Sequence, residues 1–209
     1  MLRWFLPFSF VVTIGLVGAL MSLSLFRMPS ESMMPTVQPG DRFVVNKWAY
    51  GYNSVSVPLF GPGLEPQSWL AGPPPQRGDV IVFLDTNQVP QRTLVARVVA
   101  IGGDEVAYRG GRLILNGETV PRELIVAESY VSRGRSAGVN RYRETLPGGH
   151  VHEIFERSDE EFLDQTWPVT VPEGRVFLLG DNRDSSRDSR AQGGPGMVPL
   201  TRILGRVSN

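Results

Sequence analysis

The sequence predicts a mainly β chain, with a single N-terminal transmembrane helix ahead of a body of short antiparallel strands into which a smaller β subdomain is inserted. Three observations carry this. The stretch from Trp4 to Phe26 is almost unbroken apolar sequence between Arg3 and Arg27. Its 23 residues, at 1.5 Å each, span roughly 34 Å, enough for a hydrocarbon core of about 30 Å. Second, 23 glycines and 17 prolines in 209 residues favour many turns over a helical bundle. Third, short β-branched and apolar runs recur between turn residues. The expected division is an anchor over 1–27 and a β-domain over 28–209, with the inserted subdomain at about 105–174.

Each element has its own signal. A cleaved secretory leader is the alternative for the first stretch, but its apolar region is usually about 7 to 15 residues, so an anchor fits better. Arg42 to Asn46 carries Phe43, Val44 and Val45, which suit a pleated, half-buried surface. Tyr50 to Gln76 is rich in Pro, Gly and Ser with scattered aromatics, which reads as an irregular loop; contact with a membrane surface is the alternative. Arg77-Gly78-Asp79 is a turn before the strand Val80 to Phe83, and Thr93 to Ile101 is a second strand closed by Gly102-Gly103-Asp104. Glu105 to Ala107 and Arg112 to Leu115 flank Arg109-Gly110-Gly111, and Asn116-Gly117 is a type I′ hairpin signal. Between Val120 and Val171 the chain is polar, with a hairpin expected from Glu144 to Phe155. Ser158-Asp159-Glu160-Glu161 reads as the N-cap and acidic first turn of a short helix. Arg175 to Leu179 and Pro199 to Val207 read as the last two strands.

Composition excludes several classes. There are 21 basic and 21 acidic side chains, so no charge excess points to nucleic acid. The chain has no cysteine, which rules out a disulfide scaffold or a thiolate metal site. Lys47 is the only lysine.

The chemistry concentrates in Pro29-Ser30-Glu31-Ser32-Met33-Met34-Pro35-Thr36. Each proline fixes its own φ and biases the residue before it toward an extended shape, so Ser30 and Ser32 sit on a rigid segment. This segment resembles the nucleophile box of the type I signal peptidases, Pro-Ser-X-Ser-Met-X-Pro-Thr, and the match continues through Gly40-Asp41 and Lys47-Trp48-Ala49-Tyr50-Gly51. Leu94-Val95-Ala96-Arg97 through Gly102-Gly103-Asp104 is similar to the second signature of that family, except that alanine stands at 96, the position of its catalytic lysine. Gly180-Asp181-Asn182 through Ser186, Asp188, Ser189 and Arg190 matches the third signature, Gly-Asp-Asn-X-X-X-Ser-X-Asp-Ser-Arg.

The resemblance implies a membrane-bound serine endopeptidase, N-terminus cytoplasmic and catalytic domain on the outer face, that removes signal peptides from exported preproteins after small-X-small sites. It implies Ser32 as nucleophile, and an oxyanion hole from the Ser32 backbone N–H and the Ser30 hydroxyl. Ser186 would orient the base; Asp188, Arg190, Arg97 and Asp181 would support the site. Met28, Met33, Leu94 and Val95 would shape shallow pockets, and an extended substrate would pair beside 26–30 and 93–95. The expected partners are signal peptides and the bilayer, with no nucleic acid, no metal and no organic cofactor.

Ala96 departs from the pattern at the decisive position. A serine hydroxyl needs a proton acceptor, and a lysine serves only when desolvation makes it neutral. Arg97 stays protonated and cannot replace it. Lys47 falls on the family's own strand-end lysine, and His150 and His152 lie in the inserted region, where they read as satisfied surface residues. The expectation is a severely impaired enzyme, through either an engineered or a natural change at 96. Two alternatives stay open: a non-catalytic, membrane-tethered binding protein on the same fold, and another Ser/Lys processing peptidase.

Overall fold

The computed structural model describes residues 22–56, 68–132 and 134–208. Within them the chain is mainly β, built from antiparallel sheets. The largest sheet has seven strands. These are β1 (Leu23–Arg27), β2 (Arg42–Asn46), β5 (Val80–Asp85), β6 (Arg92–Ile101), β14 (Arg175–Leu179), β15 (Val198–Pro199) and β16 (Ile203–Ser208). Their order is β1-β2-β16-β5-β6-β14-β15, so the last strand of the chain slots between β2 and β5.

β3 (Gly51–Asn53) and β4 (Ser68–Ala71) form a two-stranded ribbon where a wholly irregular loop was expected. Most of the predicted anchor, residues 1–21, lies outside the described residues. The end of that apolar stretch is not helical: Leu23–Arg27 pairs residue for residue with Arg42–Asn46, from Leu23↔Asn46 to Arg27↔Arg42. An apolar run whose alternate side chains are half-buried, as Ser24 and Phe26 are here, satisfies a sheet edge as readily as a helix. Among the described residues, no helix is long and apolar enough to cross a membrane.

Between β6 and β14 the chain builds two smaller sheets. One holds β7 (Glu105–Arg109), β8 (Arg112–Leu115), β9 (Glu118–Thr119) and β13 (Val169–Thr170) in the order β13-β7-β8-β9. Its two tight turns have left-handed backbone at both central positions, Gly110-Gly111 and Asn116-Gly117, as a type I′ turn requires. The other sheet is β10-β11-β12, from Arg122–Ser132, Arg135–Thr145 and Val151–Glu156. The hairpin expected from Glu144 to Phe155 is the end of β11 with β12.

Two local expectations are corrected. Ser158 to Glu161 forms a turn in which the Ser158 hydroxyl accepts from Glu160 N at 3.2 Å, and no helix follows. Pro199 to Val207 is not one strand: β15 gives way to a 3-10 turn at Leu200–Arg202 before β16 begins.

β6 organises the core because alternate residues serve different clusters. Ala96 and Val98 pack with Ile81, Phe83, Val176 and Leu178. Val95 leans on the cluster of Met28, Met33, Val45 and Val82. Farther along, Val99 and Ala100 meet Tyr108, Leu113 and Phe177 of the smaller sheet's core.

Candidate active site

The serine segment is a loop pinned at its base and staked by its own apolar side chains. Met28 N donates to Asp41 O and Gly40 N donates back to Met28 O, both at 2.8 Å, which closes residues 28–41 into a cycle. Inside it, Met34 N to Glu31 O at 3.1 Å and Val37 N to Met33 O at 2.9 Å make successive turns. Met33, Met34 and Val37 are buried, whereas Ser30 is exposed and Ser32 half-buried. The two hydroxyls lie 3.1 Å apart, within hydrogen-bonding distance.

β6 supplies the facing wall. Ser30, Ser32, Met28, Leu94, Ala96 and Ser186 line a cleft of about 400 Å³. Ala96 is buried among apolar neighbours and brings only a methyl group. Successive strand residues point to opposite faces, so Arg97 is carried away from the cleft. It borders a larger hollow of about 660 Å³ lined also by Thr36, Asp79, His150 and His152, with no residue in common with the serine cleft.

β14 delivers the third wall. Its extension, residues 180–190, folds back on it through Ser189 N to Leu178 O at 3.1 Å and Leu178 N to Ser189 Oγ at 2.9 Å. Gly180 sits so tightly that a Cβ there would lie 2.2 Å from Ser186 Oγ and 2.6 Å from Ser32 O. The absence of a side chain at 180 is therefore what lets the two serine-bearing segments meet. Asp188 accepts from Gly180 N at 3.1 Å and pairs with Arg190 at 2.9 Å; both side chains are buried.

Asp181 is buried and binds Arg97 at two points, 2.8 Å and 2.6 Å, while Thr36 Oγ1 of the serine loop donates to it at 2.5 Å. Burial alone would raise its pKa, but the Arg97 guanidinium outweighs that and holds the carboxyl below its usual range. Arg97 also donates to Gly78 O at 2.7 Å.

The sequence reading did not single out Asn182 for a role, and the structure gives it one. Asn182 N donates to Ser32 O at 3.0 Å, and its Nδ2 donates to Glu31 O and to Tyr130 OH, each at 3.1 Å. Tyr130 OH in turn lies 3.3 Å from Ser185 Oγ, so the β10–β11 hairpin reaches the site. The Gly-Asp-Asn motif was the available signal for Asn182; nothing local to Tyr130 or Thr36 pointed to the contacts they make.

The other candidates fall elsewhere. Met33 is wholly buried and does not line the cleft. Lys47 is buried beside the opposite end of β1, its N–H on Ser22 O at 2.9 Å, and desolvation lowers its pKa. Five strand residues separate it from Met28, about 16 Å at the usual rise. His150 is exposed and rests against Arg97 at 3.2 Å. His152, expected at the surface, is buried, with Nε2 at 3.3 Å from Glu144. Its strand, β12, turns that residue inward toward Glu144 of the paired strand β11. A carboxylate trio that could hold a metal, Glu156, Asp164 and Asp184, lies outside the serine cleft.

A serine on a fixed turn, facing a small cleft in an antiparallel β fold, defines the class as a β-rich serine peptidase. The sequence profile of the family described as "Signal peptidase, peptidase S26" matches residues 1–209, and the chain belongs to that family. It is 35% identical to a signal peptidase I of Pseudomonas aeruginosa, over 97% of this chain and 68% of that protein. It is also 35% identical to one of Pseudomonas fluorescens with the same coverage, and 29% identical to one of Rickettsia typhi, over 97% of this chain and 77% of that protein. The crystal structure of a signal peptidase I from Enterococcus faecalis, 26% identical, covers 65% of this chain and 98% of that one at a TM-score of 0.37. These relatives are serine endopeptidases that act on the signal peptides of preproteins.

Proposed function

We propose that this chain is a membrane-attached signal peptidase whose cleft accepts the small-X-small end of a signal peptide and whose cutting step is disabled at Ala96. The single observation that carries the reading is the cleft itself: Ser30, Ser32 and Ser186 assembled around Ala96. Ser32 Oγ is the attacking atom, and the Ser32 N–H with the Ser30 hydroxyl receives the developing oxyanion. Removing one such donor costs about 2.7 to 4 kcal/mol of transition-state stabilisation. Met28, Leu94 and Val95 leave room only for small side chains, and residues 26–30 and 93–95 offer extended backbone for the substrate strand. Ser186 is the partner that would orient a base at position 96; Asp188 with Arg190, and Asp181 with Arg97, hold the walls in place.

When Ser32 attacks the scissile carbonyl, its proton must leave Oγ, and later a proton must reach the departing amine. Ala96 can take part in neither transfer. Loss of such acid–base work typically costs about 10²- to 10⁴-fold in rate. The apolar run ahead of β1, from Trp4 to Ser22, supports attachment by an N-terminal anchor, with its N-terminus cytoplasmic, the 28–209 domain across the membrane, and residues 105–174 as the inserted unit. Ala96 also favours a second reading, in which the fold binds signal peptides without cutting them.

The deciding experiment compares cleavage of an Ala-X-Ala preprotein by this chain, by Ala96→Lys, and by Ala96→Lys/Ser32→Ala, in detergent or lipid. A gain of about 10² or more with the lysine, lost again without Ser32, is the expected result. No gain supports the binding protein. Strong cutting by the unaltered chain overturns the placement of the base.

A further inference from the structure

We propose that Glu156, Asp164 and Asp184 form a site for a hard divalent cation of calcium's size, separate from the serine cleft and with no part in the proton chemistry there. The three carboxylates come from three stretches of chain: the end of β12, the turn that follows it, and the 3-10 turn Arg183–Ser185. One oxygen of each lies within 4.8 Å of the others. Calcium–oxygen bonds run about 2.3 to 2.6 Å, so one central ion can reach all three at once. Carboxylate oxygens alone, without sulfur or imidazole, select a hard cation over a soft one.

A second observation concerns the same residues. Glu156 and Asp164 are fully buried. Asp164 Oδ2 is fixed by Glu161 N at 2.7 Å, and Asp184 Oδ2 by Arg157 N at 2.6 Å. The Oδ1 atoms of both aspartates are buried and accept no hydrogen bond. A carboxylate oxygen shut away from water without a partner is strongly unfavourable, so something positive is needed there.

The nearby arginines supply it only at Glu156, through Arg122 at 2.6 Å. Arg183 pairs with Glu144, Arg190 with Asp188, and Arg157 with Glu161. Arg122 is divided between Glu156 and Asp159. Among the described residues, no ion pair reaches the carboxylate of Asp164 or Asp184. A bound cation would tie the turn after β12 to the segment that carries Ser185 and Ser186.

The test uses the full chain stripped with EDTA. Terbium(III), which takes calcium's ligands, should luminesce when Tyr108 is excited, because its hydroxyl lies 3.2 Å from Glu156 Oε1. Calcium should quench that signal. Adding about 10 mM CaCl2 should raise the melting midpoint by about 3 °C, as mass action with a weak site predicts. Asp164→Asn and Asp184→Asn should abolish both responses, and Glu160→Gln, at an exposed neighbour, should keep them. Absence of terbium luminescence with an unmoved midpoint overturns the proposal. So does a response that survives in both asparagine variants, or a calcium-insensitive parent that Asp164→Asn makes more stable, since the trio is then held by a shared proton. None of these readouts depends on peptidase activity.

Discussion

Arg97 and Asp181 meet as a two-point ion pair, Nε to Oδ1 at 2.8 Å and Nη2 to Oδ2 at 2.6 Å, with both side chains almost completely buried. Planar guanidinium against planar carboxylate fixes both distance and orientation. The pair therefore locks the strand bearing Ala96 to the loop bearing Ser186, from the side away from the cleft. Asp181→Asn strands a buried guanidinium, and the expected loss is about 3 to 5 kcal/mol of folding free energy, read as a fall in the urea midpoint. Little or no change would mean that the pair is dispensable to the fold.

Asn182 holds the serine loop by its backbone and by its side chain. Asn182→Ala removes the two Nδ2 hydrogen bonds to Glu31 O and Tyr130 OH while sparing the one from Asn182 N to Ser32 O. About 0.5 to 1.5 kcal/mol of stability should be lost per hydrogen bond removed, a modest cost because Glu31 O keeps its bond from Met34 N. In the Ala96→Lys background, with Ser32 as the proposed nucleophile, the same change should lower kcat more than it raises KM, since Asn182 holds residues 31 and 32 rather than the 26–30 backbone proposed for the substrate. Steady-state kinetics on a signal-peptide substrate separate the two effects.

Gly180 tests the contact between the serine segments. Gly180→Ala forces its methyl into Ser186 and the Ser32 carbonyl, and the latter is backbone, which cannot rotate aside. Overpacking of this kind costs about 1 to 3 kcal/mol. Thermal melting should register it, and cleavage by the lysine-restored enzyme should fall as well. A variant as stable and active as its parent would show that the two segments part without cost.

Acid sensitivity should centre on Glu144. Burial would raise its pKa, but Arg183, bound at 3.0 Å through Nη1, overrides that and carries it down to about 2. A carboxyl depressed on folding contributes stability that is complete above its unfolded value, near 4.3, and vanishes as pH falls through its folded value. The window is thus roughly pH 4 to 2, and the contribution is about 3 kcal/mol. Urea midpoints across that range should drop steeply, and Glu144→Gln, already weaker at neutral pH, should flatten the slope.

How much of this was legible in the residues depends on where each one's constraints come from. Val80 to Phe83, Thr93 to Ile101 and Arg175 to Leu179 declare themselves because buried central strands need apolar runs bounded by turns. The two type I′ turns are equally local, since only residues tolerant of positive φ fit them. The long strands β10 and β11 escaped notice because most of β10 is exposed and only Val139 and Glu144 of β11 are buried, so no alternation marks a buried face. At the candidate site, the serines and the Gly-Asp-Asn segment stand out as motifs. The work of Thr36 and Tyr130 does not, because each acts on a residue more than fifty positions away. The end of the apolar N-terminal stretch was misjudged for a related reason: hydrophobicity is shared by helices and sheet edges, and only the partner strand decides.

That edge has a mechanical side. β1 runs from Ser22 straight into Met28, with its five residues paired laterally to β2. Its hydrogen bonds lie across the direction of the chain. A pull on the chain ahead of Ser22 therefore loads all those bonds in shear at the same moment, instead of peeling them one by one as in an unzipping hairpin. Tension arriving from the N-terminal side is spread into the seven-stranded sheet before it can disturb the turn that carries Ser32, so the hydroxyl geometry is insulated from forces along the chain.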